Sequence, residues 1–292
     1  MNKLKALSAL LCAIAFLSPL FACADNNQND LTDSPSPPSS SVEDSSENTP
    51  ETPENDSSSS GNVSNKPTVN VPSAPITPTV PKTAQYIKCT GDSVNIRSGA
   101  GTNYTVLGSA EKGNVYAVVE KVGNWYKTYY RNKVAYVYAS YTSVFTLEKT
   151  KNEKIEDVVE EGYKLLGVPY VYGAVRFHNG KGKLLAGFSA QKFDCSSLIQ
   201  YIFYQGAGEL LDVTTRTQVK QGTYVKKSDL QRGDCIFFTN EERQYNSGIE
   251  RIGHVALYLG NDYILHTASD YACIEKISAK RWSFYVEARR FI

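Results

Sequence analysis

The stretch Phe193-Asp194-Cys195-Ser196-Ser197-Leu198-Ile199-Gln200-Tyr201 is the point around which the rest of this chain is organised. Its pattern predicts a loop that turns into a helix, because Asp194 can cap free backbone N–H groups and apolar residues follow at helical spacing. Cys195 falls in the first helical turn, where the helix dipole favours thiolate over thiol. That environment suits a nucleophile. A small apolar residue packed beneath a helix start gives the same pattern, and this stretch alone leaves both interpretations open.

Composition limits what the chain can be. Its 292 residues are 41% apolar, which is enough for two modest domains. The formal net charge of +1 is unevenly spread, because residues 24–82 carry nine acidic side chains against two lysines. The remainder is mildly basic, which suits a polyanionic surrounding such as a bacterial wall and is too scattered to indicate nucleic acid. Six cysteines without a CxxC pair and only three histidines predict no metal site and no cofactor.

Residues 1–23 carry the pattern of a secretory signal, with a short positive region before an apolar run from Ala6 to Phe21. The end of the run, Leu20-Phe21-Ala22-Cys23, resembles a bacterial lipobox. That resemblance implies lipidation of Cys23 and attachment to the outer face of the cytoplasmic membrane. Ordinary cleavage before Asp25 with plain secretion, and an uncleaved anchor, also fit the sequence. All three outcomes export the protein.

Residues 24–82 predict a disordered linker. The segment consists mainly of Ser, Pro, Asn, Asp, Glu and Thr, and it cannot bury enough apolar surface to offset the entropy of ordering. A tether of this kind would let a folded domain search the region around its anchor.

Residues 83–146 predict a small all-β barrel, because short β-branched and aromatic runs alternate with turn residues. The motif Val94-Asn95-Ile96-Arg97-Ser98-Gly99-Ala100-Gly101-Thr102-Asn103-Tyr104, together with Trp125-Tyr126 and Val137-Tyr138-Ala139-Ser140-Tyr141, resembles the bacterial SH3-like domain. This resemblance implies a module that binds wall peptides or packs against an adjoining hydrolase. Most of its tyrosines are expected to be core or edge residues.

Residues 147–292 predict a second domain, which opens with an amphipathic helix over Leu147–Leu166. Downstream, two alternating runs flank Gly260-Asn261-Asp262 and predict a hairpin. A three-residue loop over 260–262 would place His254 and His266 on one face as diagonal neighbours, roughly 7–8 Å apart at the backbone. A two-residue loop would put them on opposite faces. The third histidine, His178, lies in a long polar loop and is expected to be solvated.

The three parts together predict a nucleophile, a base and an orienting group. His254 would hold Cys195 as a thiolate–imidazolium pair, and His266 would accept or share the far ring proton of His254. The backbone N–H of Cys195 is the natural donor to an oxyanion.

Four motifs resemble the NlpC-type cell-wall cysteine peptidases, over roughly Ile155 to the C-terminus. They are Pro169-Tyr170-Val171-Tyr172-Gly173, Phe193-Asp194-Cys195-Ser196-Ser197, Gly233-Asp234-Cys235-Ile236-Phe237-Phe238 and Gly253-His254-Val255-Ala256-Leu257-Tyr258-Leu259-Gly260. The resemblance implies a papain-like α+β fold, with a helix bearing the cysteine packed on an antiparallel sheet bearing the histidines. It also implies hydrolysis of peptidoglycan stem peptides, typically between γ-D-glutamate and the diamino acid, with Cys195, His254 and His266 as the triad.

The same resemblance implies a set of substrate-binding residues. Tyr170 corresponds to a pocket tyrosine, and Thr215 follows a segment that borders the cleft. In relatives with an SH3-like module, Asp194 and Ser196 would help to bind the free amine of an N-terminal L-alanine, since a carboxylate suits an ammonium group. Three local departures are Tyr172 for a usual tryptophan, Ser197 for a usual glycine, and Leu211-Asp212-Val213-Thr214 for a usual Leu-Pro-Arg-Thr. The loop before Cys195 is also longer than usual, and it and the 211–214 departure leave substrate choice open.

Other functions remain compatible with the sequence. An N-acetylmuramoyl-L-alanine amidase, a poly-γ-glutamate hydrolase or a transpeptidase could use the same scaffold, and a non-catalytic wall-binding protein is the alternative outside enzymes. The chain is expected to be a monomer. Cys235 and Cys273 are expected to be buried and reduced, with a disulfide between them as the alternative.

Overall fold

The structure, a computed structural model, describes residues 82–292. The predicted signal sequence, Cys23 and the linker up to residue 81 lie outside the described residues. The first part of the described chain consists of strands, which are β1 (Thr83–Cys89), β2 (Val94–Arg97), β3 (Val106–Ala110), β4 (Val115–Ala117), β5 (Glu120–Val122), β6 (Trp125–Tyr130), β7 (Lys133–Tyr138) and β8 (Thr142–Glu148).

The second part mixes helices and strands. In chain order they are α1 (Glu153–Lys164), α2 (Cys195–Ala207), α3 (Thr215–Gln218), β9 (Thr223–Val225), β10 (Cys235–Phe238), β11 (His254–Gly260), β12 (Tyr263–Ala268), β13 (Tyr271–Lys276), α4 (Ala279–Ser283) and β14 (Tyr285–Arg290). Within residues 82–292, no helix is long and apolar enough to cross a membrane.

The strands of the first module form as their alternation predicts. In β6, Tyr126, Thr128 and Tyr130 are buried and alternate with half-buried side chains, as expected where one face of a sheet covers a core. Five strands make one antiparallel sheet in the order β3-β2-β7-β6-β5, while β8, β1 and β4 belong to a second sheet. The small SH3-like barrel followed by an α+β domain is confirmed.

The second sheet runs through both modules. Its nine strands follow the order β8-β1-β4-β13-β12-β11-β10-β14-β9, and β4 meets β13 at the pair Val115–Ile274. This pairing extends the sheet that carries the histidines into the first module. The sequence gives no sign of it, because a single backbone pair between distant strands leaves no periodic signal.

Helix α1 starts later than predicted. Strand β8 pairs with β1 as far as Glu148, opposite Thr83, so the chain is still extended where the helix was expected to begin. The apolar stripe itself is confirmed, since Ile155, Val158 and Val159 are buried. The start predicted at Leu147 is therefore wrong, because the amphipathic pattern cannot separate a strand end from a helix start.

Helix α2 is held closely between α1 and the sheet. Its Leu198, Ile199, Ile202 and Phe203 are fully buried, and the helix packs against α1, β11 and β12. At Gly206 the two helices approach so closely that a Cβ atom would lie 2.4 Å from the backbone nitrogen of Val158. Glycine is therefore required at this crossing, and the cysteine-bearing helix has a fixed position above the histidine strands.

A buried arginine joins α1 and the sheet to strand β1. The Arg232 guanidinium donates to Glu156 through Nε–Oε1 at 2.8 Å and Nη2–Oε2 at 3.0 Å. It also donates to the hydroxyls of Tyr86 at 3.0 Å and Tyr163 at 2.9 Å, and these hydroxyls bond to each other. The arginine side chain is 4% exposed, so each of these partners replaces water that the charge has lost.

Removal of one partner should therefore be costly. We expect Glu156→Ala to lower the free energy of unfolding by about 3 kcal/mol, because it leaves a buried guanidinium without its counter-ion. Urea denaturation followed by circular dichroism measures the change. Glu160→Ala, on the exposed face of the same helix, is the matched control and should cost no more than about 0.5 kcal/mol. Similar losses in the two variants would contradict the structural role of the Arg232 cluster.

Candidate active site

The cysteine sits where the sequence places it, in the first turn of α2. Asp194 is the N-cap residue, its Oδ1 accepts from the backbone N–H of Ser197 at 2.8 Å, and the Ser197 hydroxyl accepts from the Asp194 N–H at 2.9 Å. This reciprocal capping box fixes the start of the helix. Cys195 is buried, and its thiol lies within the positive field of the helix N-terminus.

The two histidines meet directly on the β11–β12 hairpin. His254 Nε2 lies 2.9 Å from His266 Nδ1, a hydrogen-bond distance, with the rings nearly perpendicular at 78°. His266 is 2% exposed. Helix α2, which carries Cys195, packs against these two strands. The predicted juxtaposition of His254 and His266 is observed.

The hairpin reaches this register by a different turn from the one predicted. Asn261 and Asp262 have positive φ angles of 49° and 64°, the signature of a two-residue type I′ turn. The register shifts between Tyr258–Ile264 and Gly260–Tyr263, so β11 has one extra residue at Leu259. By itself, a two-residue loop would place His254 and His266 on opposite faces of the hairpin. The bulge restores the register, because one extra residue in the strand has the same effect as one in the loop.

Burial favours the neutral form of both imidazoles. Desolvation lowers the pKa of His254 well below its usual value, and the nearby His266 and Arg281 lower it further. The pKa of His266 is also lowered, chiefly by burial, although its bond to Glu275 opposes the shift. Each neutral ring has one nitrogen that donates and one that accepts. Since Nε2 of His254 faces His266, the nitrogen of His254 outside this contact is Nδ1.

The expected pocket residues lie around this helix start. Tyr170 forms a backbone bridge with Phe193, the residue before the cap, and its backbone N–H donates to the backbone carbonyl of Asp270 at 2.9 Å. Thr215 is the first residue of α3 and is buried. The Ser196 hydroxyl lies 3.1 Å from Asp194 Oδ1. These residues share one neighbourhood, and their contact with substrate stays a prediction.

Arg176 is a site residue that the sequence analysis missed. Its Nη1 pairs with Asp194 Oδ2 at 2.9 Å, and its Nη2 lies 3.1 Å from the Ser196 hydroxyl. Its remaining donors reach the carbonyls of Val213 at 2.9 Å and Ala174 at 2.8 Å. The Asp194 side chain is only 3% exposed. Both of its oxygens are therefore engaged within the protein, one by the helix cap and one by a cation.

The surroundings of His178 and of the remaining cysteines differ in part from what the sequence predicts. His178 is fully buried instead of solvated, and its Nδ1 accepts from the Gly180 N–H at 3.0 Å. Its ring packs 5.2 Å from that of Tyr204, so it is a structural residue of the long loop. Cys235 and Cys273 form no disulfide, so the alternative pairing is absent. Cys235 is buried as expected, whereas Cys273 is only partly buried, which corrects the expectation for that residue.

Comparison with known families agrees with this geometry. Residues 167–290 match the NlpC/P60 family, and residues 92–143 match the bacterial SH3 domain family. The chain thus carries an NlpC/P60 domain behind a bacterial SH3 domain, and both resemblances seen in the sequence are confirmed.

Curated relatives match a part of this chain. The peptidoglycan endopeptidase RipA of Mycolicibacterium smegmatis is 34% identical over 39% of this chain and 21% of its own length. The gamma-DL-glutamyl hydrolase of Bacillus subtilis is 32% identical over 46% of this chain and 29% of its own. The gamma-D-glutamyl-L-lysine dipeptidyl-peptidase of Bacillus cereus is 29% identical over 47% and 36%. The chain therefore spans only a minor part of each relative.

A solved NlpC/P60 family structure from Bacillus cereus is 20% identical over 71% of this chain and 63% of that chain, with a TM-score of 0.38.

Thiol reactivity should single out Cys195. Burial raises the pKa of Cys89 to about 11 and that of Cys273 to about 12, and it also raises the pKa of Cys235. Because the thiolate is the reactive form, we expect iodoacetamide near neutral pH to modify Cys195 at least tenfold faster than these three cysteines. Peptide mapping by mass spectrometry over time measures the four rates. A Cys195 rate no faster than that of Cys89 would contradict an activated thiol.

Proposed function

We propose that this protein is an exported cysteine peptidase that hydrolyses the γ-D-glutamyl–diamino acid bond of peptidoglycan stem peptides. The observation that carries the proposal is the 2.9 Å contact between His254 and His266 on the strands that pack against the Cys195 helix. The substrate class is supported by the names of the relatives, among them a peptidoglycan endopeptidase and a gamma-D-glutamyl-L-lysine dipeptidyl-peptidase.

The geometry supports a two-step acyl transfer. Cys195 Sγ attacks the carbonyl carbon of the scissile amide as its proton passes to His254 Nδ1. The oxyanion accepts from the Cys195 backbone N–H at the helix start. His254 then protonates the leaving amine, and a thioester joins the acyl group to Cys195. A water molecule, deprotonated by His254, attacks the thioester, which releases the acid and restores the thiol. His266 holds the His254 ring in orientation throughout.

The cellular setting belongs to the same proposal. A lipid on Cys23 would hold the enzyme at the outer face of the cytoplasmic membrane, and the linker would give the catalytic domain access to the wall. The SH3 domain would bind wall peptides or shape the active site. The protein would act as a monomer without a metal or other cofactor.

A poly-γ-glutamate hydrolase is a second candidate, favoured by the relative named gamma-DL-glutamyl hydrolase. Both substrates present a γ-glutamyl carbonyl to the thiol, so the triad alone does not separate them. Mass spectrometry does so, because digestion of purified stem peptides and of poly-γ-glutamate gives fragments of different mass.

Substitution of the triad tests the mechanism. We expect Cys195→Ala to abolish release of stem-peptide fragments, because no other group supplies the nucleophile. His266→Ala should lower kcat/KM less than His254→Ala does, since the base contributes roughly 10²–10⁴-fold and an orienting group contributes only part of that. Muropeptide digests analysed by mass spectrometry measure all three variants. Substantial hydrolysis by Cys195→Ala would refute the thiol mechanism, and equal losses in the two histidine variants would assign His266 more than orientation.

The engaged carboxylate of Asp194 bears on substrate choice. The family resemblance implies that Asp194 and Ser196 bind a free L-alanine amine, but the Asp194 carboxylate is already paired with Arg176 at 2.9 Å. An ammonium group would have to compete with a buried, hydrogen-bonded guanidinium. We infer that substrates need no free N-terminal amine, so that stem peptides still joined to the glycan are accepted.

We expect kcat/KM for stem peptides with free and N-acetylated L-alanine to differ by less than about threefold. Arg176→Met should create a preference of about tenfold or more for the free amine, because it leaves the Asp194 carboxylate unpaired. Arg176→Lys, which keeps the charge, is the matched control and should show little preference. A strong preference for the free amine in the unmodified enzyme would overturn this inference.

A further inference from the structure

We propose that Glu275 is a fourth member of the catalytic chain, a positioning residue that sets the tautomer of His266 and, through it, that of His254. The proposal deepens the function proposed above and rests on it for the role of Cys195. It assigns a purpose to a carboxylate that the sequence motifs do not include.

The distances define a continuous chain of polar contacts. Glu275 lies on β13 diagonally across from His266 on β12, since Ile264 pairs with Glu275 and His266 pairs with Cys273. Glu275 Oε1 is 3.2 Å from His266 Nε2, and the opposite nitrogen of that ring is 2.9 Å from His254 Nε2. Nε2 of His254 therefore contacts His266, and Nε2 of His266 contacts Glu275.

The Glu275 carboxylate determines which ring nitrogen carries the proton in His266 and in His254. It can only accept, so His266 must carry its proton on Nε2, and its Nδ1 must then accept. His254 in turn carries its proton on Nε2 and has a free lone pair on Nδ1, the form that can take a proton from Cys195. The reverse arrangement would place the lone pair of His266 Nε2 against an anionic oxygen.

A nearby thiol makes this control necessary. Cys273 Sγ lies 3.6 Å from the same His266 Nε2, and burial raises its pKa to about 12, so it keeps its proton. Without the carboxylate, this thiol could donate to Nε2 and stabilise the wrong tautomer of His266. His254 would then have its lone pair directed away from Cys195.

Arg281 holds Glu275 in its charged form. Its Nη2 is 2.9 Å from Glu275 Oε1, and its backbone N–H bonds to Ser278 at the start of α4. Burial alone would raise the pKa of Glu275, but the bond to His266 and the charge of Arg281 outweigh burial and hold it at about 2. The guanidinium also argues against a cation at the His266, Cys273 and Glu275 cluster, whose ligand atoms lie within 4.8 Å of one another.

Glu275→Gln is the informative variant, because it removes the charge and lets an amide N–H compete for Nε2 of His266. We expect kcat/KM to fall roughly 10- to 100-fold through kcat, as part of what a general base contributes. The pH midpoint of Cys195 alkylation should rise by about one unit. The cause is the Arg281 cation, which is left without its counter-ion and disfavours the imidazolium that pairs with the thiolate. The titrating and charged groups in contact here are His254, His266, Cys273, Glu275 and Arg281, and alkylation of Cys195 is the readout of their effect.

Nitrogen-15 NMR of labelled histidine reads the tautomers directly. The chain has three histidines, and His178, whose Nδ1 accepts from Gly180, is an internal reference. We expect Nε2–H tautomers for His254 and His266 in the unmodified protein and a shift toward Nδ1–H in Glu275→Gln, with His178 unchanged. Glu241→Gln is the matched control, because it breaks an ion pair of 2.6 Å to Lys280 on the same helix α4 without touching the histidines.

The outcomes separate this proposal from the proposed function. Unchanged tautomers and an unchanged alkylation profile in Glu275→Gln would overturn the positioning role, as would an equal effect of Glu241→Gln. If the unmodified protein cleaves no stem peptide while Glu275→Gln still shifts the tautomers and the Cys195 profile, the proposed substrate fails and the positioning role stands.

Discussion

The buried carboxylate of Asp194 is the charge on which the position of the Cys195 thiol depends. One oxygen caps helix α2, and the other pairs with Arg176 from the long loop that precedes the helix. A buried carboxylate without a counter-ion would lower the free energy of unfolding by several kcal/mol. Movement of the loop away from the helix start would therefore be strongly unfavourable. Cys195, the proposed nucleophile, is thus held at a helix N-terminus by an ion pair as well as by the usual cap.

Local rules explain why much of the site could be predicted. Helix capping acts over three or four residues, and Asp194 with Ser197 satisfies it within the motif itself. The histidine pairing was also predicted correctly, although the turn was not. Register depends on the total number of residues between paired positions, so the bulge at Leu259 and the longer loop that was expected are equivalent for His254 and His266.

Long-range ion pairs account for most of what the sequence could not reveal. Arg176–Asp194 and Arg232–Glu156 each join segments that are separate in the chain, and periodicity shows which residues are charged without showing which charges meet. The same holds for the Val115–Ile274 pair that extends one sheet through both modules. The burial of His178 is a further case, because the loop around it is polar and its packing depends on aromatic residues of α2.

The buried pair of His254 and His266 lies in surroundings that disfavour a positive charge on either ring, and the charged groups nearest to the pair lie at the partly exposed end next to His266. Burial lowers the pKa of His254 and favours its neutral form, which suits the proposed base but destabilises the imidazolium that would form if Cys195 gave it a proton. A carboxylate buried beside His254 would offset this at a large desolvation cost. Glu275 is instead 41% exposed and reaches the pair through His266, so it keeps part of its hydration while its charge faces the chain. Arg281 then keeps it ionised, although the same cation opposes a protonated histidine. In the proposed mechanism, the partly exposed Glu275, and not a buried group beside His254, therefore controls how readily His254 accepts a proton.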